Sequence, residues 1–136
     1  TYRDAVASHL FRPLGMTSAT IDRAGLERAP SWARPHSVGR RPVEVTDAYY
    51  RVPAAGGVNS NIKDLALWMI AQMGGMPEVL DKEVLNQIHA PLVATPNELR
   101  RLRKFRERLD NPAYGYGWRS YDYAGHRIIG HRGGVN

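Results

Sequence analysis

Apolar residues recur at helical spacing in several stretches and at strand spacing near the end, with a proline-rich interval between. The most regular stretch has Ile62, Leu65, Ala66, Met69, Ile70 and Met73 at i, i+3, i+4, i+7, i+8 and i+11. That is the stripe of an amphipathic helix. Asn61 is a fitting N-cap, Asp64 falls at the third helical position, and Gly74, Gly75 and Pro77 stop the helix. A first helix opens at Thr1 with Asp4 in the capping-box position and Tyr2, Val6 and Leu10 on one face. Pro13 ends it, and Gly15 is expected in a left-handed turn conformation. A shorter helix opens near Asp81, carries Val84, Leu85 and Ile88, and closes at Pro91.

From 21 to 53 the helical period disappears. Pro30, Pro35, Pro42 and Pro53 break the interval into short extended pieces, and Gly39 marks the turn of a small hairpin between 31–36 and 41–46. Trp32, Tyr49 and Tyr50 read as packing mass. At 98–109, Leu99, Leu102, Phe105 and Leu109 give a roughly helical apolar stripe amid Arg100, Arg101, Arg103, Lys104, Arg106 and Arg108. Asp110-Asn111-Pro112 reads as a break. Beyond it, Tyr116, Trp118, Tyr121 and Tyr123 favour strands, with a turn at Ala124-Gly125 and Ile128-Ile129 leading into a His between glycines.

Composition narrows the class. The 136 residues suit one domain with a real core, and 43% hydrophobic with 24% charged residues is ordinary for a globular chain. No cysteine is present, so disulfides, thiolate nucleophiles and thiolate metal sites are excluded. No window approaches the ~20 apolar residues of a membrane span, so no integral membrane segment is expected. The formal charge of +6 raises the question of nucleic acid. No nucleic-acid motif accompanies it, and Glu98 and Glu107 partly balance the basic stretch, which therefore reads as a solvated helix face. His36 lies in a polar stretch and reads as a surface residue. His89 lies in the last turn of its helix, where a cation suits the dipole. Neither suggests a metal, and no cofactor is implied.

The chemistry concentrates at Gly130-His131-Arg132-Gly133-Gly134. Glycines let a ligand approach the backbone, and their N–H groups can face a developing negative charge. The earlier glycine stretch Ala54-Ala55-Gly56-Gly57-Val58-Asn59-Ser60 lacks the Gly-Lys-Ser/Thr ending of a P-loop and the Gly-x-Gly-x-x-Gly spacing of a dinucleotide fold. A phosphate cradle is excluded there.

Three stretches in order resemble the serine β-lactamase/penicillin-binding-protein superfamily, with class C β-lactamases and related esterases and D-aminopeptidases as the branch. Phe11-Arg12-Pro13-Leu14-Gly15-Met16 with Thr20 is similar to one motif. Ala55-Gly56-Gly57-Val58-Asn59-Ser60 with Asp64-Leu65-Ala66 and Trp68 is similar to a second. Tyr114-Gly115-Tyr116-Gly117-Trp118 with Gly130-His131-Arg132-Gly133-Gly134 is similar to a third. The resemblance implies an α+β fold: mostly a helical subdomain, 1–113, followed at 114–136 by the first strands of a central antiparallel sheet.

It also implies an acyl-enzyme mechanism on a β-lactam, ester or peptidoglycan-like amide, with His131-Arg132-Gly133 as the third catalytic motif in its His form. By that match His131 binds or polarises substrate, and the Gly134 N–H is an oxyanion-hole donor. Arg132, Gly133, Gly56 and Gly57 line the substrate. The family's Ser-x-x-Lys is met only by Ser60-Asn61-Ile62-Lys63, where the match expects a serine before a helix rather than the nucleophile. No Tyr-x-Asn occurs. Both motifs are expected upstream, the chain is read as a fragment with its C-terminal strands also missing, and the fragment alone is expected to be inactive. An open strand edge would favour self-association. The periplasm or cell envelope is the compartment the resemblance favours. The alternative is a non-catalytic module that binds an anionic partner through the basic helix.

Overall fold

The computed structural model describes the chain except residues 38, 102 and 134–136, and within the basic stretch it leaves the side chains of Arg101, Arg103, Phe105 and Arg106 undescribed. The fold is α+β, in two compact units, Thr1–Leu80 and Asp81–Asn136.

In the first unit, α1 (Tyr2–Val6) starts on the expected capping box: Thr1 accepts from the Asp4 N–H, and the Asp4 carboxylate reaches back to the Thr1 ammonium. The helix does not run on as an α-helix to Pro13. Residues Ala7–Phe11 form a π-turn, in which the Arg12 N–H bonds the Ala7 carbonyl at 3.1 Å and the Met16 N–H bonds the Phe11 carbonyl at 2.8 Å. The widened turn moves the inward position off the Tyr2/Val6/Leu10 face. Phe11 is buried while Leu10 is half-buried and Tyr2 exposed. Leu14, Met16 and Ile21 join Phe11 in the core, and Gly15 takes φ +73° between them. The apolar letters of the first motif are therefore core positions.

A short α2 (Arg23–Glu27) follows, capped by Asp22, whose carboxylate also pairs with Arg3 at 3.3 Å. The expected hairpin is reduced to one bridge, His36 with Pro42, flanked by bonds from Ser37 N–H to Arg41 O and from Val43 N–H to Pro35 O, both 2.9 Å. Prolines on both arms remove donors and keep the ladder short. The positive φ falls on Arg40 (58°) rather than on Gly39.

The glycine stretch is not an open loop. Pro53–Gly56 form α3, with proline at its start. Then comes α4 (Ile62–Gln72), capped by Asn61, whose side chain accepts the Asp64 N–H at 2.9 Å. Its orientation reverses the expected stripe. Ile62 (79% exposed), Leu65, Met69 (60%), Ile70 and Met73 (75%) face outward. Asp64 and Ala71 are buried, with Leu67 and Trp68 half-buried beside them. The reason lies in the sequence: only Lys63, Asp64 and Gln72 are polar along the helix, so either face can be the inner one. Asp64 selects this one, since its carboxylate accepts the Ser18 N–H at 2.9 Å and ties the turn after Met16 to the helix.

In the second unit, α5 (Lys82–Ile88) is capped by Asp81 and buries Leu85. The chain then forms β1 (Val93–Ala94), α6 (Glu98–Arg101) and a 3₁₀ segment, Arg103–Arg108, in place of one continuous basic helix. Strands β2 (Leu109–Tyr114), β3 (Arg119–Tyr123) and β4 (His126–Gly130) complete an antiparallel meander in the order β1-β2-β3-β4. Asp110-Asn111-Pro112 lies inside β2 instead of before it. The strand absorbs it through a register shift between Asp110 and Ala113, with Asn111 at φ 50° and its side chain donating to Asp122 at 2.7 Å. A bulge is where a strand tolerates a proline and a left-handed Asn. Ala124 (49°) and Gly125 (83°) supply the two positive φ values of the β3–β4 hairpin turn.

Candidate functional site

The sheet places one group of the sequence-derived residues and α3 another. Each is described within its own unit.

In the second unit, Tyr114-Gly115-Tyr116-Gly117-Trp118 is a turn rather than a strand. The Gly115 N–H bonds the Trp118 carbonyl at 2.9 Å, Gly117 sits at φ +78°, and Tyr116 is 69% exposed. Gly115 runs so close to the Ala90 carbonyl that no Cβ would fit. The turn thus rests on the end of α5, where the Trp118 ring meets His89 edge-on at 5.3 Å. Burial pushes the His89 pKa below its ordinary 6.5.

The turn fixes which residues face each other. Val93 pairs with Tyr114, Tyr114 with Arg119, and Arg119 with Gly130, so one row crosses all four strands and ends beside His131. Along that row the Arg119 guanidinium lies 5.3 Å from the Tyr114 ring centre and 3.2 Å from a Glu98 carboxylate oxygen. The Tyr114 and His131 rings are 6.5 Å apart, tilted by 58°. His131, Arg132 and Gly133 follow β4 without regular structure and are exposed. A Cβ on Gly130 or Gly133 would meet nothing within 4 Å, so the backbone here is open to an incoming group. Arg132 lines a cavity of about 20 Å³, room for one water, with Glu98, Arg119, Ser120 and Tyr121 among its neighbours. Gly134, expected as the oxyanion donor, lies outside the described residues.

In the first unit, Gly56 ends α3 and Gly57 follows it, buried. Gly57 has ordinary negative φ. Its glycine requirement is steric, because a Cβ would lie 2.7 Å from the Pro53 Cα. The stretch after it is held by Asn59. The Asn59 Nδ2 donates to Thr20 Oγ1 at 3.0 Å and to the Asp22 carbonyl at 2.9 Å, while its Oδ1 accepts from Tyr50 Oη at 2.9 Å. Backbone bonds between Thr20 and Asn59 close the link in both directions. Sequence reasoning counted Tyr50 only as packing mass and gave Asn59 no role. The available signal was an Asn directly after an apolar residue in a glycine-rich turn. Beside this link opens a cleft of about 570 Å³ whose lining includes Trp32, Ser18, Ser60 and Asn61 and no charged side chain.

Ser60 ends this stretch with its hydroxyl near the Asn61 carbonyl (3.4 Å), one residue before the α4 cap. Among the described residues, no three His, Asp or Glu side chains converge as a metal ligand set would, and no helix is long and apolar enough to cross a membrane.

Comparison with known proteins agrees with this layout. A family model described as Beta-lactamase matches residues 1–136. The chain is 29% identical over 140 residues to a protein named unguisins hydrolase from Aspergillus campestris, covering 98% of this chain and 24% of that protein. Among solved structures, the octameric penicillin-binding protein homologue from Pyrococcus abyssi superposes with a TM-score of 0.71 at 21% identity, over 96% of this chain and 28% of that one. The latter likeness concerns the fold. The chain spans about a quarter of the length of either protein.

Proposed function

The chain belongs to the beta-lactamase family, and from that premise we propose that it forms part of a serine hydrolase working through an acyl-enzyme on a β-lactam, an ester or a peptidoglycan-like amide. The observation that carries the reading is the position of His131-Arg132-Gly133: exposed, directly after an edge strand, with open backbone on either side. In this reading His131 binds or polarises the substrate, Arg132 and Gly133 lie along it, and the Gly134 N–H donates to the developing oxyanion. Losing one such donor typically costs about 3–4 kcal/mol of transition-state stabilisation. Gly56 and Gly57 are assigned to the substrate wall. The nucleophilic serine and its lysine are assigned to residues beyond this stretch, so the 136-residue chain is inactive by itself.

Ser60 is set aside as nucleophile on chemical grounds. A serine nucleophile needs a base within hydrogen-bond reach, and the printed partner of Ser60 is a backbone carbonyl. The cell envelope is the compartment proposed with this activity, and the open edge of β4 is proposed as a route to self-association. Size-exclusion chromatography that finds a strict monomer at high concentration would count against the latter.

The test is covalent. The 136-residue chain and the full-length gene product are each treated with a fluorescent penicillin and a fluorophosphonate, and the labelled peptide is located by mass spectrometry. The expected result is no label on the chain, label on a serine elsewhere in the full-length product, and slower labelling when His131 is changed to Ala. Label on Ser60 would overturn the assignment of the nucleophile. No label on a folded full-length product, together with polyanion binding that weakens steeply with salt, would favour the binding module built on the basic stretch at 98–109.

A further inference from the structure

We propose that Tyr114 is a positioning residue for the His131 imidazole, held in place by Arg119 and Glu98. The inference rests on the reading of His131 as a polar group of the site.

His131 leaves β4 into a segment with no backbone ladder, and its side chain is exposed. An exposed imidazole samples several rotamers, and a group that must meet a reacting carbonyl gains rate from being confined to one. Among the described residues no hydrogen bond confines it. The ring that stands next to it is Tyr114, at a separation of 6.5 Å and a tilt of 58°, within the range of tilted aromatic pairs.

Tyr114 is itself well fixed. Its backbone is laddered on both sides, to Val93 and to Arg119. The Arg119 cation lies over its ring at 5.3 Å, inside the range where the ring quadrupole attracts a cation. Arg119 in turn is paired with Glu98 at 3.2 Å, both side chains well under half exposed. The line Glu98–Arg119–Tyr114–His131 therefore runs from an anchored ion pair to the one imidazole that the motif places at the site. In this line Tyr114 uses its ring, while its hydroxyl has no part in it. Phenylalanine should serve in its place and leucine should not.

The test uses the full-length gene product with isotope-labelled histidine and tyrosine. Cross-relaxation between the Tyr114 and His131 rings is expected. The rate of labelling by the fluorescent penicillin is then measured for Tyr114→Leu, Tyr114→Phe, His131→Ala and the Tyr114→Leu/His131→Ala pair. Misplacing a reacting group by about an ångström can cost up to ~100-fold. Tyr114→Leu is expected to slow acylation by roughly tenfold or more at saturating probe with little change in half-saturation. Tyr114→Phe should keep the rate, and the double variant should be no slower than His131→Ala alone. Should Tyr114→Leu fail to fold, Arg119→Gln, which leaves the ring and removes the cation, is expected to slow acylation in the same saturating regime.

Absence of the ring–ring signal, or a wild-type rate in Tyr114→Leu while His131→Ala is slow, overturns the proposal. If His131→Ala acylates normally, the reading of the site falls and the positioning role falls with it. The ring–ring signal then separates that case from one in which the two rings never met.

Discussion

Asn59 is the sharpest place to test the first unit, because one side chain joins three segments that are distant in sequence. Replacing it by Ala removes its bonds to Thr20 Oγ1, the Asp22 carbonyl and Tyr50 Oη. Each is partly buried, and a hydrogen bond of that kind contributes about 0.5–1.5 kcal/mol net. Three lost bonds predict about 2–4 kcal/mol, and the lower half of that range is expected because water can reach part of the site. Tyr50→Phe removes one of the three and should lose about 1 kcal/mol. Since Tyr50 has nothing to donate to once Asn59 is gone, the two substitutions should couple by about 1 kcal/mol in a double-mutant cycle. Asn59→Asp keeps an acceptor for Tyr50 but sets an oxygen against the Asp22 carbonyl, so it should fare no better than Ala. Urea unfolding followed by tryptophan fluorescence gives the midpoints, and an unchanged slope licenses the comparison. A loss below about 0.5 kcal/mol for Asn59→Ala, the scatter of ordinary surface changes, or an absent coupling, would refute the link.

Three further outcomes follow from particular positions. In α4, Met69→Lys should change stability by no more than about 0.5 kcal/mol because the side chain faces out, whereas Ala71→Leu should lose about 1–3 kcal/mol by overpacking a fully buried site; urea midpoints showing the reverse would mean that the helix presents its other face to the core. Gly57→Ala should lose about 1–3 kcal/mol, since the new methyl meets the Pro53 backbone, while Gly56→Ala, whose Cβ would sit 3.9 Å from Tyr49, should be neutral or gain a few tenths of a kcal/mol from helix propensity; thermal melts of the two variants decide it. His89, whose pKa burial holds below 6.5, binds its proton more readily in the unfolded chain, so its contribution is intact above about pH 7 and is lost as pH falls through 6.5 toward the lowered folded value. Stability measured from pH 8 to 5 should show that decline in the wild type and less of it in His89→Gln, and equal slopes would remove His89 as the cause.

Much of the chain's punctuation was legible because each signal is local. Thr1 with Asp4, Asn61 with Asp64, Gly15 before Met16, and Ala124-Gly125 each specify a cap or turn through neighbouring atoms alone. The three motifs led to the family for a related reason: Phe11, Leu14, Met16, Asp64, Gly57 and Gly115 sit where packing or close approach admits little else. What stayed hidden depends on distant partners. The face of α4 is chosen by Asp64 reaching Ser18, and nothing in a nearly all-apolar helix announces that choice.

The site shows the same division, and the deciding step is a turn. His131 could be picked out from its glycines, but its neighbours depend on strand register. Running a strand through Tyr116 and Trp118, as their β-favouring side chains suggest, would leave Tyr114 with no defined partner. The chain turns there instead, because Gly117 accepts a positive φ and Gly115 fits against the Ala90 carbonyl. That turn sets Tyr114 opposite Arg119, and the tight Ala124-Gly125 turn sets Arg119 opposite Gly130. A slip of one residue in either hairpin would send these side chains to the opposite face of the sheet. The glycines of the third motif therefore act at two levels. Those beside His131 leave space for a ligand, and those around Tyr116 bring Tyr114, Arg119 and His131 into one row.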